Sequence, residues 1–256
     1  MPANAAWPFL DWPGPIAFAH RGGASEAPEN TMPAFAHAIG LGYRYVETDV
    51  HVTADGVLVA FHDDRLDRVT DGTGAIADLP WSVVRQARVD GREPIPRLED
   101  LLGEWPELRV NIDPKHDGAV DPLAEVLLRT QAVDRVCVGA FSDKRIARVS
   151  ALVGGGLCTS MGPRQVAQLT AAARGLPGGG RVRAPCAQVP TGQGRVVLVT
   201  RRLVDTAHRL GVQVHVWTID DRREMERLLD LGVDGIMTDR PAVLKELLVE
   251  RGDWSE

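Results

Sequence analysis

Short apolar runs alternate along most of the chain with longer stretches in which apolar residues recur every three or four positions. The first run, Ile16–Ala19, reads as a strand. A helix is expected over 31–40, opening at Thr31 with Pro33 in its first turn and stopped by Gly40 and Gly42. Tyr45–Val52 predicts a second strand, Asp55-Gly56 a tight turn and Val57–Phe61 its antiparallel return. There the pattern breaks: residues 63–97 are polar and turn-rich (Asp71-Gly72-Thr73-Gly74), with one short helix expected near 80–89. The alternation then resumes with helix 97–104, strand Arg109–Asp113, helix 120–131, strand Val136–Phe141 and helix 143–152. Strand Leu157–Ser160, helix 163–173, strand Cys186–Val189, helix 200–210, strand Val212–Thr218, helix 221–231, strand Gly235–Thr238 and helix 241–250 complete it.

About eight strands are thus followed by helices, starting at 16, 45, 109, 136, 157, 186, 212 and 235. Short apolar strands without a long alternating meander are those of a parallel sheet covered by helices. Eight such units predict an α/β protein with a closed (β/α)8 TIM barrel, the excursion at about 63–97 being a small insertion after strand 2. A chain of 256 residues fits one such barrel, and no internal repeat or linker divides it, so a single domain over 1–256 is expected. The glycine-rich segment 174–194 reads as a loop around a short strand, since it lacks the Lys-Ser/Thr ending of a phosphate-binding P-loop. Met1–Pro15, interrupted by Pro2, Pro8, Pro13 and Pro15, reads as an irregular lead-in without the basic and apolar parts of a secretion signal. Its Trp7, Phe9 and Trp12 are expected to pack against the barrel floor.

With 44% apolar and 25% charged residues, the composition is that of a soluble globular protein. A net charge of −6 argues against a nucleic-acid partner, though local cations can still gather an anionic substrate. No apolar run reaches the length of an integral membrane segment. Cys137, Cys158 and Cys186 are odd in number, far apart and set in or beside apolar runs. They read as buried free thiols rather than a disulfide or zinc site, which makes the cytoplasm the expected compartment.

In a barrel the chemistry collects where the strands end. His20 and Arg21 close the first strand beside Gly22-Gly23, a pair that lets backbone approach a ligand. Glu47 and Asp49 lie two residues apart on one face of the second strand, whose hairpin return ends in His62-Asp63. Asn111, Asp113 and Lys115 share a face of the next strand; Gln188, His215, Trp217 and Thr238-Asp239 follow on later ones. Three carboxylates at one mouth repel each other unless cations join them. Oxygen ligands point to one hard divalent cation, Mg2+ or Ca2+, on Glu47, Asp49 and Asp113; the competing reading is a buried ion-pair network with Arg21 and Lys115. His20 and His62 offer one imidazole to take a proton and one to give it, while Arg21 and Lys115 offer charge for a phosphoryl group. Together they make a kit for phosphodiester cleavage.

Other histidines read as bystanders: His37 and His208 as helix residues, His116 as part of a loop, His51 and His215 as hydrogen-bonded residues of a lower barrel layer. Glu29 and Asn30 are expected to position His20 and Arg21 through loop and helix-start hydrogen bonds. Gln188 is a candidate to meet a polar substrate. Trp217 either fills the mouth or contacts the substrate.

His20-Arg21-Gly22, Pro28-Glu29-Asn30-Thr31, Glu47-Thr48-Asp49-Val50, Thr53-Ala54-Asp55-Gly56, His62-Asp63, Asp113-Pro114-Lys115 and Trp217-Thr218 resemble, in order and spacing, the motif series of the glycerophosphodiester phosphodiesterases. The likeness runs from about residue 16 to 245. It implies a (β/α)8 barrel with an insertion after strand 2, and hydrolysis of small-molecule glycerophosphodiesters to sn-glycerol 3-phosphate and an alcohol. On that pattern His20 and His62 are the acid/base pair, Glu47, Asp49 and Asp113 bind the divalent metal, Arg21 and Lys115 hold the phosphate and Trp217 lies against the substrate. Most members carry a glutamate as third ligand, one methylene longer than Asp113. Two alternatives accompany this reading: a lysophospholipase D, which needs an apolar groove for an acyl chain, and a barrel that binds a phosphorylated ligand without turnover.

Overall fold

A computed structural model of the chain describes residues 7–176, 183–194 and 196–255. Nine strands build its main sheet: β1 (Ile16–His20), β2 (Tyr45–Val52), β3 (Leu58–Ala60), β4 (Arg109–Pro114), β5 (Val136–Val138), β6 (Cys158–Thr159), β7 (Cys186–Pro190), β8 (Gln213–Trp217) and β9 (Gly235–Thr238). Eight of them pair in parallel, in the order β6-β5-β4-β2-β1-β9-β8-β7, and β3 folds back antiparallel on β2. A parallel bridge between Ser160 and Cys186, with Met161 N–H donating to the Cys186 carbonyl at 2.8 Å, joins the two ends of the series. The result is the expected (β/α)8 barrel, and its strands begin within one residue of the expected positions.

Helices end up where their caps put them. Thr31, Ser142, Thr200 and Asp221 each accept a hydrogen bond from the backbone N–H three residues on, which satisfies an otherwise orphaned donor at the first turn. Their apolar stripes face the barrel and close the layer between helices and sheet. Among the described residues no helix is long and apolar enough to cross a membrane.

Three expectations need correction. The helix near 80–89 is a single turn, Trp81–Val84, and Arg88–Val89 instead pairs antiparallel with Glu93–Pro94. Val89 is drawn into a separate small core with Val59, Phe61, Leu66, Ile76 and Val84, so burial overrides the helical pattern there. The strand expected to reach Phe141 stops at Val138, where the chain turns out of the barrel and leaves Phe141 71% exposed. His51 is not in a lower layer: it stands two residues beyond Asp49 toward the mouth. Gly178, Gly179 and Gly180 of the expected 174–194 loop, and Met1–Ala6 of the lead-in, lie outside the described residues.

The lead-in plugs the barrel floor as expected. Phe9 and Leu10 are wholly buried, Phe9 and Trp12 meet the Tyr45 ring edge-on at 5.3 and 5.5 Å, and Tyr45 Oη donates to the Phe9 carbonyl at 2.7 Å. Phe18 completes the aromatic layer, 5.2 Å from Tyr45 and 5.1 Å from His215. Its truncation in Phe18→Ala is expected to cost about 3–5 kcal/mol, read as a lower urea midpoint at unchanged slope. A loss under about 1 kcal/mol would mean that the floor collapses onto the gap.

Candidate active site

β1 delivers His20 to the mouth, and the chain then turns through three consecutive residues of positive φ: Arg21 (51°), Gly22 (83°) and Gly23 (100°). A Cβ on Gly22 would stand 2.8 Å from that of Ala34, and one on Gly23 2.7 Å from the Pro241 ring, so neither position has room for a side chain. The turn is thereby pressed against the starts of helices Met32–Gly40 and Pro241–Arg251. It directs Arg21 back over the mouth. Arg21 backbone N–H points at Glu47 Oε2 (3.3 Å), Nη1 donates to Glu29 Oε1 (3.2 Å), and Nε stands 3.2 Å from Asp49 Oδ2. Asn30, 1% exposed, accepts from Thr48 Oγ1 at 2.8 Å and aims its amide at Asp49.

Ladder register assembles the acidic residues. His20 is opposite Glu47, Glu47 opposite Asn111, and Asp49 opposite Asp113. Lys115 Nζ bridges Asp49 Oδ1 (2.5 Å) and Asp113 Oδ2 (2.9 Å), whereas Asp113 Oδ1 is buried with no partner. Burial and then the neighbouring Asp49 push the Glu47 carboxyl up to about 7. Burial also raises Asp113 despite Lys115. For Asp49 burial acts in the same direction, but Lys115 and Arg21 outweigh it and hold the carboxyl below its ordinary value. Two fixed cations therefore face three acids, with one carboxylate oxygen orphaned and one carboxyl driven toward neutrality. An all-oxygen donor set short of positive charge fits a hard divalent cation.

His20 and His62 are each clamped through Nδ1. His20 Nδ1 lies 2.6 Å from Asp239 Oδ1, and its Nε2 is 3.7 Å from Glu47 Oε2. Burial disfavours the imidazolium of His20, yet Glu47 and the bond to Asp239 prevail and raise its pKa. His62 Nδ1 lies 2.6 Å from Asp63 Oδ1, and its backbone carbonyl is 3.0 Å from His51 Nε2. Arg68 holds Asp63 (2.5 Å), its hydrogen bond being the main reason the Asp63 carboxyl falls to about 2, and also grips Glu29 (2.7 Å). A continuous polar chain thus runs from Arg21 through Glu29, Arg68 and Asp63 to His62.

The structure brings His20, Arg21, Glu47, Asp49, Asp113, Lys115 and His62 to this one network. Gln188 stands apart within the barrel, donating to Asn111 Oδ1 at 2.8 Å. Trp217 lies at the end of β8 and packs edge-on against Phe141 at 5.6 Å. Glu29 and Asn30 hold the turn, as expected. Exposed His37 and His208 pair with Glu26 and Asp234. The sequence places Asp63 and Asp239 at strand ends but gives neither a role, and it does not single out Arg68. For Asp63 the signal was its place next to His62. The partnership of Asp239 with His20 follows only from closing the barrel, since Ala19 pairs with Thr238. Arg68 lies in the insertion, where no periodic pattern fixes direction.

A sequence model of the glycerophosphoryl diester phosphodiesterase family matches residues 20–243. A Mycobacterium tuberculosis protein named probable glycerophosphodiester phosphodiesterase 2 is 42% identical over 96% of this chain and 95% of its own. A human lysophospholipase D is 27% identical over 90% of this chain and 84% of its own. Among solved structures, the phosphodiesterase of Oleispira antarctica in complex with its product sn-glycerol-3-phosphate superposes with a TM-score of 0.75 at 21% identity, covering 92% of this chain and 97% of that one. A glycerophosphoryl diester phosphodiesterase domain from M. tuberculosis superposes with a TM-score of 0.79 at 23% identity, covering 91% and 98%.

Proposed function

The chain belongs to the glycerophosphoryl diester phosphodiesterase family, and from that premise we propose that it hydrolyses glycerophosphodiesters to sn-glycerol 3-phosphate and a free alcohol, with His20 and His62 as the acid/base pair. The observation that carries the reading is the pair of imidazoles, each anchored at Nδ1 by a carboxylate 2.6 Å away, at the rim of one acid-rich mouth. Such anchoring fixes the ring and leaves Nε2 for the substrate.

In the first step one imidazole takes the proton of the glycerol hydroxyl next to the phosphoester. The hydroxyl oxygen bonds to phosphorus as the bond from phosphorus to the alcohol oxygen breaks, and the other imidazole gives that oxygen its proton. A five-membered cyclic phosphate results, and nucleophile and phosphorus in one molecule supply much of the proximity advantage. Water then opens the ring with the two roles exchanged. Arg21 uses Nη1 on Glu29 and Lys115 two of its three N–H groups on Asp49 and Asp113, so both keep donors for phosphoryl oxygens. Glu47, Asp49 and Asp113 would hold one divalent cation, Mg2+ or Ca2+, which when bound supplies charge neutralisation and acidifies the attacking hydroxyl. The orphaned Asp113 oxygen supports that assignment. A cytoplasmic setting accords with three free cysteines.

Lysophospholipase D activity is the second reading, favoured by Phe141, an exposed aromatic beside Trp217 at the mouth. Head-to-head assays of glycerophosphocholine and lysophosphatidylcholine, with choline release as readout, separate the two. A higher kcat/KM is expected for glycerophosphocholine; the reverse order would assign the site to lysophospholipids.

A further inference from the structure

The three cysteines are scattered in sequence but not in space. Cys137 on β5, Cys158 on β6 and Cys186 on β7 all point into the barrel, where their sulfurs lie within 4.8 Å of one another. Among the described residues this is the one group of three or more potential ligands drawn so tightly together. Cys137 Sγ and Cys186 Sγ are 3.9 Å apart. With Zn–S bonds of about 2.3 Å, the sulfurs of a tetrahedral site stand about 3.8 Å apart, so the Cys137–Cys186 pair already has ligand spacing and Cys158 lies within 4.8 Å of both.

A fourth donor adjoins one of them, Cys186, just outside the tight sulfur group. His215 on β8 is wholly buried, its imidazole next to the Cys186 thiol. Gly235 makes room for the ring: a Cβ there would come within 3.0 Å of His215 Cδ2. The hydrogen bonds fix the tautomer. Gln213 donates its amide N–H to the Leu10 carbonyl, which leaves Gln213 Oε1 as an acceptor 3.0 Å from His215 Nε2. Nε2 must therefore carry the proton, and Nδ1 is a buried lone pair with no partner. A histidine whose Nε2 donates to a carbonyl oxygen has the supporting hydrogen bond of a metal ligand, and its Nδ1 is left without a partner in a ring that adjoins Cys186. If the cysteines were only small apolar filling, this nitrogen would be left unsatisfied for no return.

We propose that Cys137, Cys158 and Cys186 bind a zinc ion inside the barrel, separate from the acidic mouth, with the adjoining His215 drawn in as fourth ligand on loading. On loading, three thiol protons leave to solvent, three Zn–S bonds form, and Nδ1 of neutral His215 supplies the fourth bond. Sulfur donors select zinc over the hard ions suited to Glu47, Asp49 and Asp113, so the two sites do not exchange metals. Phe9, Leu10, Phe18 and Tyr45 seal the floor, and the ion enters as the chain folds.

The test unfolds the full chain under reducing conditions, refolds it with Zn2+ or with Cd2+, washes it with chelator and counts metal. About one zinc ion per chain is expected to remain, and the cadmium form to show a sulfur-to-metal charge-transfer band in the ultraviolet. Cys158→Ala and Cys186→Ala should each lose the band, His215→Ala should retain less zinc, and Glu47→Gln should keep both band and zinc. The proposal is overturned if wild-type protein regains its native circular dichroism with zinc present yet carries none and shows no cadmium band. It is equally overturned if unreduced protein is two hydrogens lighter, which would reveal a disulfide. Because the wild-type count decides by itself, misfolding of a cysteine variant does not rescue the idea.

Discussion

Alanine at His20 or at His62 is expected to lower kcat for glycerophosphocholine by about 10²- to 10⁴-fold, with the fold intact. Each ring is fixed by one carboxylate, and neither carries the packing of the barrel: the His20 side chain is 14% exposed and that of His62 34%. Removing either ring leaves Asp239 or Asp63 able to reach water, because their own side chains are 24% and 22% exposed. His62→Ala strands no buried charge, and in His20→Ala the buried Glu47 loses one cationic neighbour but keeps Arg21 and Lys115, so the melting temperature should move little while the rate collapses. If proton transfer is shared as proposed, the double variant should fall barely below the worse single variant, since groups acting as one unit are not additive. Asp239→Asn should lower kcat less than His20→Ala, because the amide still holds the ring but cannot balance the imidazolium. Near-wild-type turnover in either alanine variant would remove that histidine from the acid/base pair.

What the sequence made legible has a physical pattern. The eight strand–helix units and the helix start at Thr31 depend on local spacing, and they appeared where the periodicity put them; the caps at Ser142, Thr200 and Asp221 serve helices expected within one residue of those positions. The first half of the site was legible for the same reason: His20 to His62 is one stretch crossing two adjacent strands and a hairpin. Partnerships across the closure of the barrel were not. His20 meets Asp239 only because β1 pairs with β9, and the three sulfurs converge only because β5, β6 and β7 are neighbours at the seam. Distance along the chain argued for isolated thiols; the barrel reverses that argument. The insertion was hardest to read, because a small satellite core rather than any local pattern decides that Val89 joins a ribbon.

Chelation of divalent metal is expected to stop turnover by at least about 10²-fold, and added Mg2+ or Ca2+ to restore it. The charges at the mouth explain why. With Lys115 between Asp49 and Asp113, and Arg21 beside Asp49, the acids still exceed the cations by one, Glu47 is driven up to about 7 and one Asp113 oxygen has no partner. Burying such a set without further positive charge is unfavourable, and like-charge pairing with phosphate would be worse. Asp113→Asn keeps the shape but removes one negative charge, so it should raise the metal concentration needed for half-activation while kcat at saturating metal falls less. Asp113→Glu, which supplies the longer side chain usual in the family, should shift the balance between Mg2+ and Ca2+ rather than abolish activity. Turnover untouched by chelator, with Asp113→Asn no different from wild type, would return the three carboxylates to a purely structural ion-pair network with Arg21 and Lys115, and the two histidines would then have to work on a phosphate held by side chains alone.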